Sequence, residues 1–368
     1  MTIALSASAP RVLWWSHGGR QYSRDRIIRD AFHGLNWVIQ DFRPAVSLLG
    51  DVEASLRRLP TPDLVWVPCF RQRDAEAAQR WAKKRSVPLI FDPLISAYDK
   101  QVFERQKFSS DSRAAQRLLT RERRLFQNST RLIADTGCHA QYFQQTHHVD
   151  SQRVDVIPVS AEEQLFVPQP PKAVSEPVHV MFYGSFIGLQ GPQFIAEAAR
   201  QVPELRWTFI GSGPLLSECQ TILKNCDHAT FVPRVPYDAL PDRIGRADIL
   251  LGVFGNSDKA GRVIPNKVYQ ALACGRPVIT QSSSAYPSAM RRLSAVESGV
   301  TWVAPGQPQQ IADAVRQLAA NAHALPKIGR AARGAYNRWL NNDMVRECLA
   351  AVIEQVTGVS GAARRPAA

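Results

Sequence analysis

The sequence lacks the features that mark secreted, zinc-binding and membrane-spanning chains. Its six cysteines are scattered and include no C-x-x-C pair, which favours small buried residues in a reducing compartment. No run of about 18 uncharged apolar residues occurs, so we expect no transmembrane helix. The N-terminal residues also lack the basic-then-apolar order of a secretory signal. Together these absences predict a folded protein of the cytoplasm.

Acidic residues are few relative to basic ones. The 45 Lys and Arg residues exceed the 32 Asp and Glu residues by 13. Such an excess favours an acidic partner, such as nucleic acid, an anionic membrane or a phosphorylated substrate. Aromatic residues do not alternate with basic ones along a strand, as a stacking platform for nucleic acid requires, so we expect no nucleic-acid partner.

A full G-x-G-x-x-G fingerprint is missing, although short apolar strands alternate with helical segments along most of the chain. The alternation predicts an α/β fold with parallel, doubly wound sheets, and 368 residues suffice for two such domains. A proline-rich stretch at 168–177 predicts a linker between domains at 1–167 and 178–340. An amphipathic helix at 341–357 and a tail at 358–368, which we expect to be disordered, complete the chain.

Residues 264–280 are the most informative part of the second domain. Pro265 suits the first turn of a helix, Gly275 can end that helix in the left-handed conformation, and a short buried strand follows. Lys267 lies in the first turn, where free backbone N–H groups and a lysine together favour an anion. An ordinary helix–strand unit without a ligand explains the same pattern, and the residues by themselves leave both interpretations open.

The segment PNKVYQALACGRPVI at 265–279 resembles the donor-binding signature of GT-B glycosyltransferases of the family 4 type. The resemblance implies two Rossmann-like domains facing a central cleft, with the C-terminal helix crossing back to the N-terminal domain. It also implies a hexosyltransferase that moves a sugar from a nucleotide-sugar to a saccharide or lipid-linked acceptor, with retention at the anomeric carbon. The implied setting is cell-surface polysaccharide or lipopolysaccharide biosynthesis, at the inner face of the cell membrane.

By the same resemblance, the second domain holds the nucleotide-sugar. The loop at 184–191 would face the diphosphate, but Ser185 and Gln190 stand where relatives commonly have cations. Arg262 and Gln270 stand where relatives often have two glutamates, on the sugar and on the ribose. The candidate donor-binding residues are Gly184, Ser185, Gln190, Gly191, Gly211, Gly213, Arg234, Ser257, Pro265, Asn266 and Gln270.

Arg262 and Lys267 are the residues that we expect to restore the missing charge and to act in catalysis. Cations aimed at a departing diphosphate stabilise the transition state more than the ground state. A solvated basic loop is the alternative interpretation. Retaining transferases of this type need no dedicated nucleophile, since the departing phosphate can take the acceptor's proton. No D-x-D motif occurs, so we predict no metal and no cofactor besides the donor substrate.

The first domain should hold the acceptor. Asp92 follows a buried strand and stands where relatives often have a His-Asp pair, so it is a candidate to accept or orient the acceptor's proton. Capping of the following segment is an equally good explanation of Asp92. Further acceptor-side candidates are His17, Gly18, Gly19 and Asp99.

A predicted helix at 113–128 carries Arg113, Arg117, Arg121 and Arg124 at spacings of three or four. Such a stripe is either a solvated face or a peripheral contact with anionic lipid, where each basic residue contributes on the order of 1 kcal/mol. Basic residues in the acceptor half suit an acceptor carried on a lipid diphosphate.

Three other functions fit parts of the sequence. A sugar-nucleotide epimerase with the same fold would need a carboxylate or histidine set around the sugar, which the sequence does not identify. A basic binding protein would use the charge but leave the signature unexplained. A catalytically lapsed family member would explain the departures at Ser185, Gln190, Arg262 and Gln270.

Overall fold

The computed structural model of the chain describes residues 9–18, 22–105, 107–169 and 173–359. It consists of two compact units: the first contains the residues up to Pro158 and those from Asn342 onward, and the second runs from Val159 to Asn341. Each unit holds a six-stranded sheet whose neighbouring strands are parallel. The predicted α/β fold with two Rossmann-like halves is therefore confirmed.

The first unit's strands are β1 (Arg11–Trp15), β2 (Val38–Phe42), β3 (Leu64–Val67), β4 (Leu89–Phe91), β5 (Arg131–Ala134) and β6 (Val154–Val156). They lie in the order β2-β1-β3-β4-β5-β6. All four residues of β3 are buried, as expected of a central parallel strand that is covered on both faces. The order reverses between β1 and β3, and such a reversal opens a crevice at the carboxyl edge of a sheet.

The helices between these strands are α1 (Ser23–Gly34), α2 (Gly50–Leu56), α3 (Gln72–Lys84), α4 (Ala97–Asp99), α5 (Arg113–Gln127) and α6 (Gly137–His147). Helices α2, α3, α5 and α6 share one core cluster and cover one face of the sheet, while α1 packs on the other face. The sequence did not predict α2, the 3₁₀ turn Ser47–Leu49 before it, or the π-helical turn Lys100–Glu104. Only Ala54 of α2 enters the core cluster, whereas Val52 and Leu56 of the same helix are exposed, so α2 does not present an apolar face to the core.

The second unit's strands are β7 (His179–Ser185), β8 (Arg206–Ser212), β9 (Ala229–Val232), β10 (Ile249–Leu251), β11 (Val278–Gln281) and β12 (Val300–Val303). They lie in the order β12-β11-β10-β7-β8-β9, which reverses between β7 and β10. The sequence predicted a longer β10, over 248–254. The strand ends at Leu251, and the backbone N–H of Phe254 instead donates to the Gln190 carbonyl, 3.1 Å away.

The second unit's helices are α7 (Pro192–Gln201), α8 (Leu216–Ile222), α9 (Leu240–Arg246), α10 (Asn266–Ala273), α11 (Ser288–Arg291), α12 (Ala295–Ser298), α13 (Pro308–Ala320) and α14 (Leu325–Trp339). Helix α10 is the predicted signature helix. Pro265 precedes it as the N-cap residue, with extended backbone angles, one position earlier than predicted. Gly275 follows it with φ +68°, as the prediction of a left-handed end requires.

The last helix, α15 (Asn342–Thr357), belongs to the first unit. Its residues Val345, Leu349, Val352 and Ile353 are buried in the same core cluster as Phe32 of α1. The prediction that the C-terminal helix crosses back to the N-terminal half is therefore confirmed. Among the described residues, no helix is both long enough and apolar enough to cross a membrane.

The described residues of the proline-rich stretch at 168–177, predicted as a linker, belong to the second unit and bond to other parts of it. The Gln169 N–H donates to the Cys274 carbonyl at 3.1 Å, and the Ser175 N–H donates to Asp248 Oδ2 at 3.2 Å. The first unit ends earlier, at Pro158. Residues 170–172, and residues 360–368 of the predicted tail, lie outside the described part of the chain.

Candidate functional site

Two glycine-rich loops meet at the carboxyl ends of β7 and β8. A side chain at Gly211 would place its Cβ 1.9 Å from the Gly184 carbonyl oxygen, and one at Gly213 would lie 2.6 Å from the Phe186 carbonyl oxygen. Gly211 also has φ +136°, a conformation that other residues rarely adopt. The two loops can pack this closely only because glycines stand at these positions.

The chain after β10 packs against the same loop. A side chain at Gly255 would place its Cβ 2.4 Å from the carbonyl oxygens of Gly188 and Leu189, and one at Gly191 would lie 2.7 Å from the Phe254 backbone. These contacts lie beside the reversal of strand order between β7 and β10. Open α/β sheets bind ligands at such reversals, outside the carboxyl ends of the strands.

Lys267, in the first turn of α10, reaches this loop. Its Nζ donates to Gln190 Oε1 at 2.7 Å and lies 3.9 Å from the centroid of the Phe182 ring. A Cβ at Gly184 would lie 2.9 Å from the same Nζ. The structure therefore brings Lys267 together with Gly184 and Gln190, two of the residues predicted to bind the diphosphate.

The Lys267 ammonium is held away from water without a compensating charge. The residue is 6% exposed, and no carboxylate in the described part of the chain forms an ion pair with it. Burial alone lowers the pKa of Lys267 well below its ordinary value of 10.5. A buried cation without a counter-ion is costly, and an anion bound at this position would offset that cost.

Gln270, one helical turn after Lys267, lies between two tyrosines. Its Nε2 donates to Tyr237 Oη at 3.2 Å, and its Oε1 accepts from Tyr183 Oη at 3.1 Å. The Tyr183 hydroxyl also contacts the Lys267 carbonyl at 3.2 Å. Sequence reasoning missed both tyrosines. The position of Tyr183, directly before Gly184, was the available signal, whereas nothing around Tyr237 pointed to Gln270.

The remaining candidates of the second unit lie at the end of β7, on the loops after β9 and β10, and at the start of α10. Ser185 is exposed at the end of β7, and Arg234 is exposed in the loop after β9. Ser257 is exposed, and its Oγ accepts from the Ala260 N–H at 3.3 Å. Arg262 and Asn266 are half-buried, before α10 and at its first residue.

In the first unit, Asp92 forms a buried ion pair that the sequence did not indicate. Asp92 Oδ2 lies 2.6 Å from Arg24 Nε, and Arg24 Nη1 donates to the carbonyls of Ile157 and Pro158 at 3.0 and 3.1 Å. Burial raises the pKa of Asp92 to about 6, against the opposing effect of Arg24. The capping explanation is wrong, because Ser96 caps α4.

The other acceptor-side candidates are dispersed over the carboxyl edge of this sheet. His17 is exposed after β1; its N–H donates to Asp74 Oδ2 at 2.9 Å, and its Nδ1 lies 2.6 Å from the Pro44 carbonyl. Gly18 has φ +48°. Asp99 is buried, with its N–H donating to Ser96 Oγ. Gly19 lies outside the described residues.

Sequence reasoning also missed two buried polar pairs near Asp92. His139 Nδ1 lies 2.7 Å from Asp135 Oδ1, just after β5, and the Cys69 Sγ donates to Asp25 Oδ1 at 2.9 Å, just after β3. Position directly after a buried strand was the signal that could have identified Asp135 and Cys69.

Within the described residues, no group of three or more His, Cys, Asp or Glu side chains is arranged to hold a metal ion.

Two protein-family models match the chain. The model described as "Glycosyl transferase 4-like domain" matches residues 11–160, and the model described as "Glycosyl transferases group 1" matches residues 177–321. The first match corresponds to the described strands and helices of the first unit without α15. The second match contains Lys267 and the residues around it, Tyr183, Gln190, Tyr237 and Gln270.

The chain is also similar to individual proteins. A D-inositol 3-phosphate glycosyltransferase of Mycolicibacterium smegmatis is 27% identical over 184 residues, which are 46% of this chain and 41% of that protein. The chain thus spans less than half the length of the curated relatives it matches.

Solved structures of other proteins match over most of the chain, among them HepE and a sucrose-phosphate synthase. HepE of Anabaena, in complex with UDP, has a TM-score of 0.71 at 14% identity, covering 94% of this chain and all of HepE. Sucrose-phosphate synthase of Thermosynechococcus elongatus has a TM-score of 0.73 at 15% identity, covering 96% of this chain and all of that structure. At these identities the likeness establishes the fold alone.

Proposed function

The chain belongs to the GT-B glycosyltransferases of the family 4 type, and we propose that it transfers a sugar from a nucleotide-sugar to a saccharide or lipid-linked acceptor. The observation that carries this proposal is the buried Lys267 ammonium. It donates a hydrogen bond to Gln190 beside Gly184 and has no counter-ion among the described residues. A diphosphate would supply the missing negative charge.

In this proposal Lys267 takes the place of a cation that relatives commonly carry in the loop after β7. Gln190 stands at that position here, and the Lys267 ammonium reaches it from α10. Lys267, in the first turn of α10, then faces the departing diphosphate at the positive end of the helix dipole. Negative charge grows on that group as the glycosidic bond breaks, so the cation stabilises the transition state more than the bound donor. Arg262 remains a proposed second cation.

Gln270 is proposed to bind the ribose hydroxyls. Its amide is already oriented by Tyr183 and Tyr237, which fixes one acceptor and one donor group in place. Uracil is the first base to test, because HepE, which shares the fold, has been crystallised with UDP and with UDP-glucose. A lipopolysaccharide outer core galactosyltransferase also shares the fold, so a cell-surface saccharide is the acceptor class that we propose.

We also propose retention of configuration without a metal ion, and acceptor binding in the first unit near Asp92. Because Arg24 occupies one oxygen of Asp92, the role that we assign to Asp92 is to orient the acceptor. The arginine stripe of α5 would hold the protein against an anionic membrane, where a lipid-linked acceptor is found. All four arginines of the stripe are exposed, although Arg121 also pairs with Glu76 at 2.8 Å.

The proposal is tested by incubating the purified protein with UDP-, GDP- and ADP-sugars and lipid or saccharide acceptor fractions, and measuring nucleoside diphosphate release. We expect release from the sugars of one nucleotide, dependent on the acceptor, and loss of release in Lys267→Met. Lys224→Met is the matched control, because Lys224 is an exposed lysine of the same unit.

Other outcomes would contradict sugar transfer. Nucleotide binding without release would indicate a lapsed family member, and a changed sugar configuration on the nucleotide would indicate an epimerase. If no nucleotide raises the melting temperature while heparin or an oligonucleotide does, the chain is a basic binding protein.

A further inference from the structure

An exposed apolar strip lies on the segment from Val46 to Leu56, which includes the 3₁₀ turn Ser47–Leu49 and α2. Eleven large apolar side chains are exposed in the described part of the chain, and five of them belong to this segment: Val46, Leu48, Leu49, Val52 and Leu56. Leu49 is 58% exposed and Leu56 is 78% exposed. Scattered exposed leucines are ordinary, but a cluster of this kind marks an interaction site.

A basic groove lies beside this strip. Helices α2, α3 and α5 cover the same face of the first unit's sheet. A groove of about 1110 Å³ between α3 and α5 is lined by seven basic residues: Arg80, Lys83, Arg113, Arg117, Arg121, Arg124 and Arg153. Arg80 connects the groove to the strip, because its Nη2 donates to the Leu48 carbonyl at 2.6 Å and to Asp51 Oδ1 at 2.7 Å.

The acidic side chains of this surface are already paired. Asp51 is bound by Arg80, which lowers the pKa of that carboxyl through hydrogen bonding. Glu53 pairs with Arg57 at 2.7 Å, and Glu76, which lines the groove, pairs with Arg121. Each of these pairs is neutral, and the positive charge of the surface comes from the other basic residues of the groove: Lys83, Arg113, Arg117, Arg124 and Arg153.

We propose that residues 46–56 insert into an anionic lipid bilayer, with the groove between α3 and α5 binding the lipid phosphates. A bilayer offers acyl chains to the strip and anionic headgroups to the groove, which matches both halves of this surface. A second copy of the chain fits less well, because two strongly basic faces would repel each other. The purpose of this membrane contact would be to bring the enzyme to a lipid-linked acceptor, and in that respect the inference rests on the proposed function.

The side chains that follow α2 suit the depth of such an insertion. Arg57 and Arg58 are exposed directly after Leu56, where long basic side chains can reach the headgroup level while the leucines lie deeper. The strip and the groove therefore contribute in different ways. The groove should set the preference for anionic lipid, and the strip should provide binding that survives high salt, since salt screens exposed charges but not apolar contacts.

The test is co-sedimentation of the full chain with vesicles of phosphatidylcholine alone or mixed with phosphatidylglycerol. We expect binding to the mixed vesicles, with a remainder that resists high salt. The double variant Leu49→Gln/Leu56→Gln should lower the partition coefficient about tenfold per leucine and abolish the salt-resistant part. Arg117→Gln/Arg124→Gln should instead remove the preference for mixed vesicles. Val296→Gln is the matched control, because Val296 is 47% exposed on the second unit.

The UDP-induced rise in melting temperature, measured on every variant, separates this inference from the proposed function. Variants that keep the UDP response but lose vesicle binding support the membrane strip. Unchanged vesicle binding by the leucine variant, or equal binding to neutral and mixed vesicles, would overturn it. Absence of vesicle binding would also overturn it, and a dimer dissociated by the leucine substitutions would assign the strip to contact between copies.

Discussion

Replacement of Lys267 by methionine is expected to raise the stability of the protein and to lower its affinity for UDP. Methionine has a similar length and no charge, so it can fill the space over the Phe182 ring that the lysine side chain occupies. Replacement of buried ionic groups by apolar ones is often stabilising by about 1–4 kcal/mol. Lys267 lacks a counter-ion among the described residues, so we expect a gain of about 1 kcal/mol or more, or about 2–4 °C in melting temperature.

The loss of affinity follows from the contact with the diphosphate. A hydrogen bond to a charged group contributes about 1.5–3 kcal/mol, so its removal should weaken UDP binding about 10- to 150-fold. The half-buried Gln190 loses one partner but can be hydrated, so this loss should not cancel the gain in stability. A stabilised protein that no longer binds its ligand would identify Lys267 as a binding residue and not as a structural one.

The pH dependence gives an independent check of the same argument. Burial lowers the pKa of Lys267 below 10.5, so the folded state binds this proton less tightly than the unfolded chain does. Wild-type stability should therefore rise with pH up to about 10.5, and the advantage of Lys267→Met in urea unfolding should shrink over the same range. A variant that is less stable than the wild type at every pH would refute the reasoning, and so would undiminished UDP binding.

Three further substitutions test other parts of the account. Gly211→Ala would place its Cβ 1.9 Å from the Gly184 carbonyl oxygen, so thermal-shift titration should show a lower melting temperature and loss of the UDP response. Gln270→Ala should weaken UDP binding about fivefold in calorimetry, as expected for one lost hydrogen bond; no change would exclude the ribose assignment. Burial raises the pKa of Asp92 from 3.8 to about 6. The stability that protonation of Asp92 contributes is therefore fully present below pH 3.8 and is lost as the pH rises through 6. Urea unfolding should show this decline in the wild type but not in Asp92→Asn, and parallel declines would contradict the burial argument.

The architecture could be predicted because parallel strands are short buried runs with turn residues after them. The sequence predicts a helix at 325–339 and a strand at 64–68; α14 has these bounds, and β3 ends one residue earlier, at Val67. The predicted elements were wrong where contacts between distant parts of the chain determine the local structure. Beyond β10, the Phe254 N–H donates to the Gln190 carbonyl in the loop after β7. In α2, Val52 and Leu56 are exposed, so they do not contact the core as the apolar residues of the other helices do.

The glycine loops and Lys267 could be predicted, since they occupy motif positions, but their contacts could not. Lys267 and Gln190 are 77 positions apart, and Gln270 and Tyr237 are 33 positions apart. Arg24 offers no signal for its pairing with Asp92, 68 positions later. Such pairings depend on how loops from different strands pack together, which local spacing does not encode.

Calorimetric titration of UDP and of uridine into the wild type and Lys267→Met tests whether Lys267 forms a diphosphate site. We expect UDP to bind the wild type far more tightly than uridine does. In the variant, the affinity for UDP should fall about 10- to 150-fold while the affinity for uridine stays unchanged. Equal affinities of the wild type for UDP and uridine, or equal losses for both ligands in the variant, would contradict a diphosphate site at Lys267.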